Sequence, residues 1–135
     1  MEKKLVIPIE EAVSGPLHGG AGTYRILVDK EICGADKMSL LVNTAKAGAV
    51  GSAHTHEGEH CWYILSGTAT MFIGDQTFKI GPNMAVFTPP ETLHKMEVDE
   101  GEDLTYVVIY APPGPEQKLK AKGVNAFNDT AGEIK

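Results

Sequence analysis

Apolar and polar residues alternate along most of the chain in short runs that are separated by turn-forming residues. The run Ala69–Ile73, followed by Gly74-Asp75-Gln76 and then Thr77–Ile80, is typical of two antiparallel strands joined by a hairpin. No stretch keeps a 3.6-residue period for three turns between helix caps, so the helix signals are weak. The pattern predicts strands at Leu5–Ile9, Tyr24–Val28, Met38–Thr44, His60–Leu65, Ala69–Ile73, Thr77–Ile80, Ala85–Thr88, Lys95–Val98 and Leu104–Ala111.

Short strands without crossover helices predict an all-β fold, either an antiparallel sandwich or a barrel. A chain of 135 residues has room for one domain. The run Pro112-Pro113-Gly114-Pro115 stops the last strand, and a polar segment follows it. We therefore predict a single barrel domain over residues 1–115 and a polar C-terminal tail over residues 116–135. The tail either forms a short helix near Gln117–Lys122 or is mobile.

Charge and the N-terminal sequence exclude several classes of partner. The net charge of -6 argues against nucleic acid, because binding to a phosphate backbone needs clustered Lys and Arg. The apolar run Leu5–Ile9 is short, is interrupted by Pro8 and is followed at once by two glutamates, which fits neither a signal peptide nor a membrane span. We expect a cytoplasmic protein with no membrane partner, in which Cys33 and Cys61 are free thiols.

Four of the five histidines fall into two clusters that indicate metal chemistry. His54, His56 and His60 lie within seven residues, and His94 follows a proline-rich turn. A lone histidine is usually an ordinary polar residue, and we assign that role to His18. Several imidazoles directed into a barrel would repel one another on protonation, whereas a divalent metal ion satisfies all of them.

The histidine clusters resemble the two sequence motifs of the cupin superfamily, G-x5-H-x-H-x3,4-E-x6-G and G-x5-P-x-G-x2-H-x3-N. The matching positions are Gly48, His54, His56, Gly67, Pro89 and His94. His60 stands at the glutamate position of the first motif. In the second motif, Asn83 and Glu91 stand at the glycine positions, and Val98 stands at the asparagine position.

The resemblance implies an antiparallel double-stranded β-helix, the jelly-roll barrel of cupins. The chain is similar to a small single-domain subgroup of cupins in which four histidines hold one divalent metal ion. The corresponding residues here are His54, His56, His60 and His94. Manganese, iron, nickel, copper and zinc are all compatible with these ligands. Cupins often dimerise through their N-terminal strands, and an exposed edge at Leu5–Ile9 would invite such pairing. We therefore expect a homodimer.

Four neutral imidazoles leave the metal its full +2 charge, which favours an anionic small molecule as the partner. By analogy with the subgroup, we expect a metal-dependent enzyme of the oxygenase, lyase or isomerase type. The alternatives are a non-catalytic module that binds or senses a small ligand or metal, and a metal-free sugar-binding or epimerase-like barrel. The filled ligand positions disfavour the metal-free barrel.

Three further residues are candidates for substrate binding. Trp62 and Met96 share strand faces with His60 and His94, so they are expected to line a pocket. Arg25 is the only arginine, and an arginine can hold a carboxylate by a two-pronged contact. A surface salt bridge is the commoner role for such an arginine.

Overall fold

Nine strands and two short helices form the described part of the chain, residues 3–17 and 20–122 of a computed structural model. The strands are β1 (Val13–Leu17), β2 (Gly22–Val28), β3 (Ser39–Ala45), β4 (Glu59–Ser66), β5 (Ala69–Ile73), β6 (Gln76–Ile80), β7 (Ala85–Thr88), β8 (His94–Val98) and β9 (Leu104–Ala111). The helices are α1 (Lys30–Cys33) and α2 (Pro115–Lys122), and one 3-10 turn covers Ile9–Glu11.

The strands form a six-stranded sheet in the order β1-β2-β3-β9-β4-β7 and a three-stranded sheet in the order β6-β5-β8. All neighbouring strands are antiparallel. Alternate residues of β3 and β9 are buried, as expected when one face of a sheet covers a core. Leu41 and Met71, which belong to different sheets, are fully buried in one hydrophobic cluster. The all-β antiparallel prediction is confirmed.

Eight of the predicted strands correspond to β2–β9, but the prediction of a strand at Leu5–Ile9 is wrong. Leu5 is 84% exposed and Val6 is 86% exposed. Pro8 has no backbone N–H to donate to a strand ladder, which disfavours sheet pairing in this run.

The first strand is instead β1, which pairs with β2 from Val13↔Ile26 to Leu17↔Gly22. Its sequence, Val-Ser-Gly-Pro-Leu, contains a proline that only an edge strand tolerates, and β1 is an edge strand. A side chain at Gly15 would collide with the Tyr24 ring, whose atoms lie 2.7–2.8 Å from the position of a Cβ. Because β1 needs a glycine for close packing and contains a proline, its sequence does not show the alternation that predicts a strand.

The helix predicted near Gln117–Lys122 is present as α2, and it packs against the barrel. Leu119 is fully buried, and the buried carboxylate of Glu116 accepts a hydrogen bond from Ser39 Oγ at 2.7 Å. Lys120 Nζ lies 2.6 Å from Asp29 Oδ2.

The domain boundary at residue 115 stays a prediction, and residues 123–135 of the predicted tail lie outside the described residues. Within residues 3–17 and 20–122, no helix is long and apolar enough to cross a membrane.

Candidate metal centre

A backbone bridge between a loop and a strand brings the two histidine clusters together. His54 lies in the connection from β3 to β4, and His94 is the first residue of β8. Their backbones exchange two hydrogen bonds, His54 N to His94 O at 3.0 Å and His94 N to His54 O at 2.9 Å. The carbonyl of His56 accepts a hydrogen bond from the backbone N–H of Glu91 at 2.6 Å. The loop that carries the first cluster is thereby held against the segment that precedes β8.

The rings of His54, His56 and His94 form a nearly equilateral triangle. Their centroids are 4.6 Å apart for His54 and His56, 4.5 Å for His54 and His94, and 4.7 Å for His56 and His94. One nitrogen from each ring lies within 4.8 Å of the other two, so these residues could hold one metal ion.

His60 lies beside this triangle, on the inward face of β4, and is 2% exposed. Its ring centroid is 3.7 Å from that of His56 and 6.4 Å from that of His94. The ring of Tyr110, which is paired with His60 across β4 and β9, lies 4.4 Å away on another side. The structure therefore gathers all four predicted ligands, with three of them in a compact group. Metal binding by these residues stays a prediction.

Hydrogen bonds determine which ring nitrogen of two histidines is available to a metal. His54 Nδ1 donates to the carbonyl of Ser52 at 2.8 Å, and His94 Nδ1 donates to the carbonyl of Thr92 at 3.1 Å. Because a carbonyl oxygen can only accept, both Nδ1 atoms carry the proton and both Nε2 atoms keep a lone pair.

Two of the cluster's nitrogens, His94 Nε2 and His56 Nε2, are buried and have no hydrogen-bond partner among the described residues. Unpaired buried polar atoms are rare in proteins. A divalent cation would satisfy these lone pairs, so the residues present fit a metal ion.

Burial keeps these imidazoles neutral. Burial, together with a smaller repulsion from charge on the neighbouring imidazoles, lowers the pKa of His56 to about 3, that of His60 to about 2 and that of His94 to about 4. The hydrogen bond to the Thr92 carbonyl opposes the change at His94. Burial also lowers the pKa of His54, while the hydrogen bond to the Ser52 carbonyl opposes this change. At neutral pH, all four rings are in the uncharged form that binds metals.

The four histidines belong to the lining of a cavity of about 110 Å³. Trp62 and Met96 also line it, where the sequence predicts them to lie. The indole of Trp62 stacks on the ring of Tyr106, with centroids 4.9 Å apart and ring planes 14° from parallel. The other walls are largely apolar and include Ala45, Ala49, Val98 and Val108.

The structure places Arg25 away from the cavity, so it gives no support to the predicted substrate-binding role of this residue. Its neighbours Tyr24 and Ile26 point into the core, so the alternation of β2 places Arg25 on the outer face of the sheet. Arg25 Nη1 donates to Thr44 Oγ1 at 3.1 Å and to the carbonyl of Val42 at 3.4 Å. Arg25 is not among the residues that line the cavity. His18 lies outside the described residues.

Sequence reasoning did not single out Tyr110. Alternation along β9 predicts that Tyr110 faces inward together with Tyr106, and this signal was available from the sequence. Its contact with His60 also needs β9 to pair with β4 in the register His60↔Tyr110. That pairing joins residues 50 positions apart and has no local signal.

Comparisons with known proteins identify the family and the fold. A sequence model of the cupin domain matches residues 41–110, slightly more than half of the chain. The chain therefore belongs to the cupin family. Mannose-1-phosphate guanylyltransferase RfbM of Salmonella typhimurium is 43% identical over 56 residues, which cover 40% of this chain. That stretch covers only 12% of the enzyme's own length.

Two solved structures show the same fold at low sequence identity. The polyketide cyclase RemF of Streptomyces resistomycificus superposes with a TM-score of 0.70 and 24% identity, over 84% of this chain and 81% of the cyclase. Oxalate decarboxylase of Bacillus subtilis, which contains Mn(II) centres, gives a TM-score of 0.70 and 14% identity, over 100% of this chain and 40% of the decarboxylase.

Proposed function

We propose that this cupin is a metal-dependent enzyme that acts on a small organic molecule. One divalent transition metal ion, which can be manganese, iron, nickel, copper or zinc, is held by His54, His56, His60 and His94. The observation that carries the proposal is the convergence of neutral imidazoles in the lining of an apolar cavity, with Nε2 of His56 and of His94 buried and without a partner among the described residues. The Mn(II) centres of the decarboxylase with the same fold support a metal of this kind.

The protein's own residues give this centre its shape. The carbonyls of Ser52 and Thr92 hold the rings of His54 and His94 in one tautomer, so the same nitrogens always face the ion. The ring of Tyr110 packs beside His60 and restricts the position of that fourth imidazole. When bound, the metal supplies a Lewis acid with an undiminished +2 charge, because all four ligands are neutral.

The cavity favours a compact molecule with an anionic or ionisable oxygen in an apolar frame. A metal that takes six ligands, such as manganese or iron, would have two positions left for such an oxygen if the four histidines held it. Apolar walls exclude water and strengthen electrostatic interactions inside the site. Small carboxylates, β-dicarbonyls and phenolates fit these conditions, whereas bulky phosphorylated compounds do not fit a cavity of about 110 Å³. The site suits oxygenase, lyase or isomerase chemistry.

We also propose that the protein is a homodimer, and that its interface is the outer face of the large sheet. Two rows of neighbouring residues run across four strands of that face without any charge. They are Leu40, Ile109, Cys61 and Phe87 in one row, and Val42, Val107, Tyr63 and Ala85 in the other. Two copies of a chain with a net charge of -6 repel each other, so a two-fold interface is favoured where charge is absent. An exposed apolar face of this kind is typical of an interaction site.

Metal analysis tests the proposed centre. Protein without an affinity tag should contain one equivalent of metal by mass spectrometry, and a variant with His56→Ala and His94→Ala should lose nearly all of it. Phe78→Ala is the control and should retain the metal, because Phe78 is exposed on β6 and does not line the cavity. A wild-type protein that stays metal-free after incubation with each of the five metals would contradict the proposal.

Ligand access is tested separately on the manganese or copper form. Acetate, acetylacetone and catechol should each change its electron paramagnetic resonance spectrum at millimolar concentration, because each has an oxygen that can occupy an open position. Spectra that none of them changes would mean that the open positions are blocked, which contradicts an enzymatic role for the metal.

A further inference from the structure

The indole N–H of Trp62 is a buried donor that the proposed metal centre does not explain. Trp62 lies on β4, two residues after His60, and both residues line the cavity. Stacking on Tyr106 holds the indole ring in place. Nε1 is buried, and no acceptor within hydrogen-bond distance is found among the described residues.

Three buried side-chain nitrogens that have no partner in the described part of the chain therefore belong to residues that line the same cavity, and their chemistry differs. Nε2 of His56 and of His94 can offer a lone pair to a cation. The indole nitrogen of Trp62 is a donor only, so no metal ion can satisfy it. Buried donors without acceptors are rare, and an acceptor atom of a molecule in the cavity would supply the partner that the described residues do not.

We propose that Trp62 Nε1–H donates a hydrogen bond to an oxygen of the molecule that binds at the metal, and that Trp62 thereby selects ligands with two oxygen atoms. One oxygen coordinates the ion, and the second accepts the hydrogen bond. Small carboxylic acids and β-dicarbonyls have this pair of oxygens. This inference rests on the proposed function, because it takes the metal as the first anchor of the ligand. It assigns Trp62 a specific polar contact in addition to its place in an apolar wall.

Trp62 is the only tryptophan in the chain, so a ¹H–¹⁵N correlation spectrum contains one indole signal that needs no assignment. Protein loaded with zinc, which is diamagnetic, is titrated with acetate, oxalate and acetylacetone. We expect the indole proton to move to lower field as each probe saturates the site, and its exchange with solvent to slow. Both changes report a hydrogen bond formed at this nitrogen.

Affinity measurements on variants give the second readout. Trp62→Phe keeps an aromatic ring against Tyr106 and removes the donor, so we expect each probe to bind about 10-fold more weakly. Tyr63→Phe is the matched control, since it also removes a donor from an aromatic residue of β4, but Tyr63 is exposed and does not line the cavity. It should change the affinity by less than about 2-fold, because a swap that conserves volume perturbs packing little. Both variants should retain the full metal content.

The outcomes separate this inference from the proposed function. Wild-type protein without metal contradicts the proposed function itself. Full metal content, together with probe binding that leaves the indole signal unmoved and is equally tight in Trp62→Phe, overturns the role of Trp62 alone. Protein that binds none of the probes in its zinc form or in its manganese form contradicts both. If Trp62→Phe does not fold, as judged by circular dichroism, the test rests on the wild-type indole signal: a shift on probe binding supports the hydrogen bond, and an unmoved signal overturns it.

Discussion

Replacing Leu119 by alanine should destabilise the whole barrel, because this side chain fixes α2 in the core. Leu119 is fully buried, although it belongs to the segment that the sequence predicts as a polar tail. Truncation of a buried leucine costs about 3–5 kcal/mol, and we expect about 3 kcal/mol here because α2 lies at the margin of the barrel. For a chain of 135 residues, the entropy of unfolding is about 0.3 kcal/mol/K, so Tm should fall by about 10 °C.

Thermal unfolding followed by circular dichroism and by calorimetry measures this change. Leu5→Ala is the matched control, since the same atoms are removed from a residue that is 84% exposed. Its Tm should change by less than about 2 °C, as is usual for surface substitutions. If both variants unfold at the same temperature, α2 contributes nothing to the stability of the barrel. Residues 1–115, the predicted domain, would then be the unit that unfolds cooperatively.

Three other predictions concern pH, assembly and the fourth ligand. Burial alone would raise the pKa of the Asp29 carboxyl, but hydrogen bonds, the strongest from Lys120, outweigh burial and lower this pKa. The charged carboxylate therefore stabilises the fold above the unfolded pKa of about 3.9, and this contribution is lost as pH falls through the lowered folded value. Asp29→Asn should thus be less stable than wild type at pH 7 by about 1 kcal/mol or more, with a smaller difference at pH 3, in guanidinium unfolding experiments. Phe87→Glu, on the proposed interface, should convert the dimer to a monomer in sedimentation experiments. Phe78→Glu, on the small sheet, is the control and should leave the dimer intact. A wild-type monomer at micromolar concentration would refute the proposed dimer. His60→Ala should weaken metal binding at least about 10-fold if His60 is a ligand, and unchanged binding by calorimetry would leave a three-histidine site.

Much of the barrel could be predicted from the sequence because the signals for strands and turns are local. Gly74-Asp75 lies between two alternating runs, and residues 69–80 form the hairpin of β5 and β6 in the structure. The spacing of His54 and His56 is equally local, since residues two apart in extended chain face the same side. The N-terminal run Leu5–Ile9 shows the limit of such signals. Its apolar composition resembles a strand, but strand formation also needs a partner with free backbone groups.

The sequence by itself determined the all-β class of fold through the local periodicity of its strands, and its resemblance to the cupin motifs indicated the four histidines of the candidate centre. Only the tertiary structure decided that β4 lies between β9 and β7, which places Tyr110 beside His60. It also decided that Arg25 faces away from the cavity and that Leu119 is buried in the core. These outcomes depend on which distant segments pair and on the register in which they pair. That choice is made by the packing of the whole barrel, so no local pattern contains it.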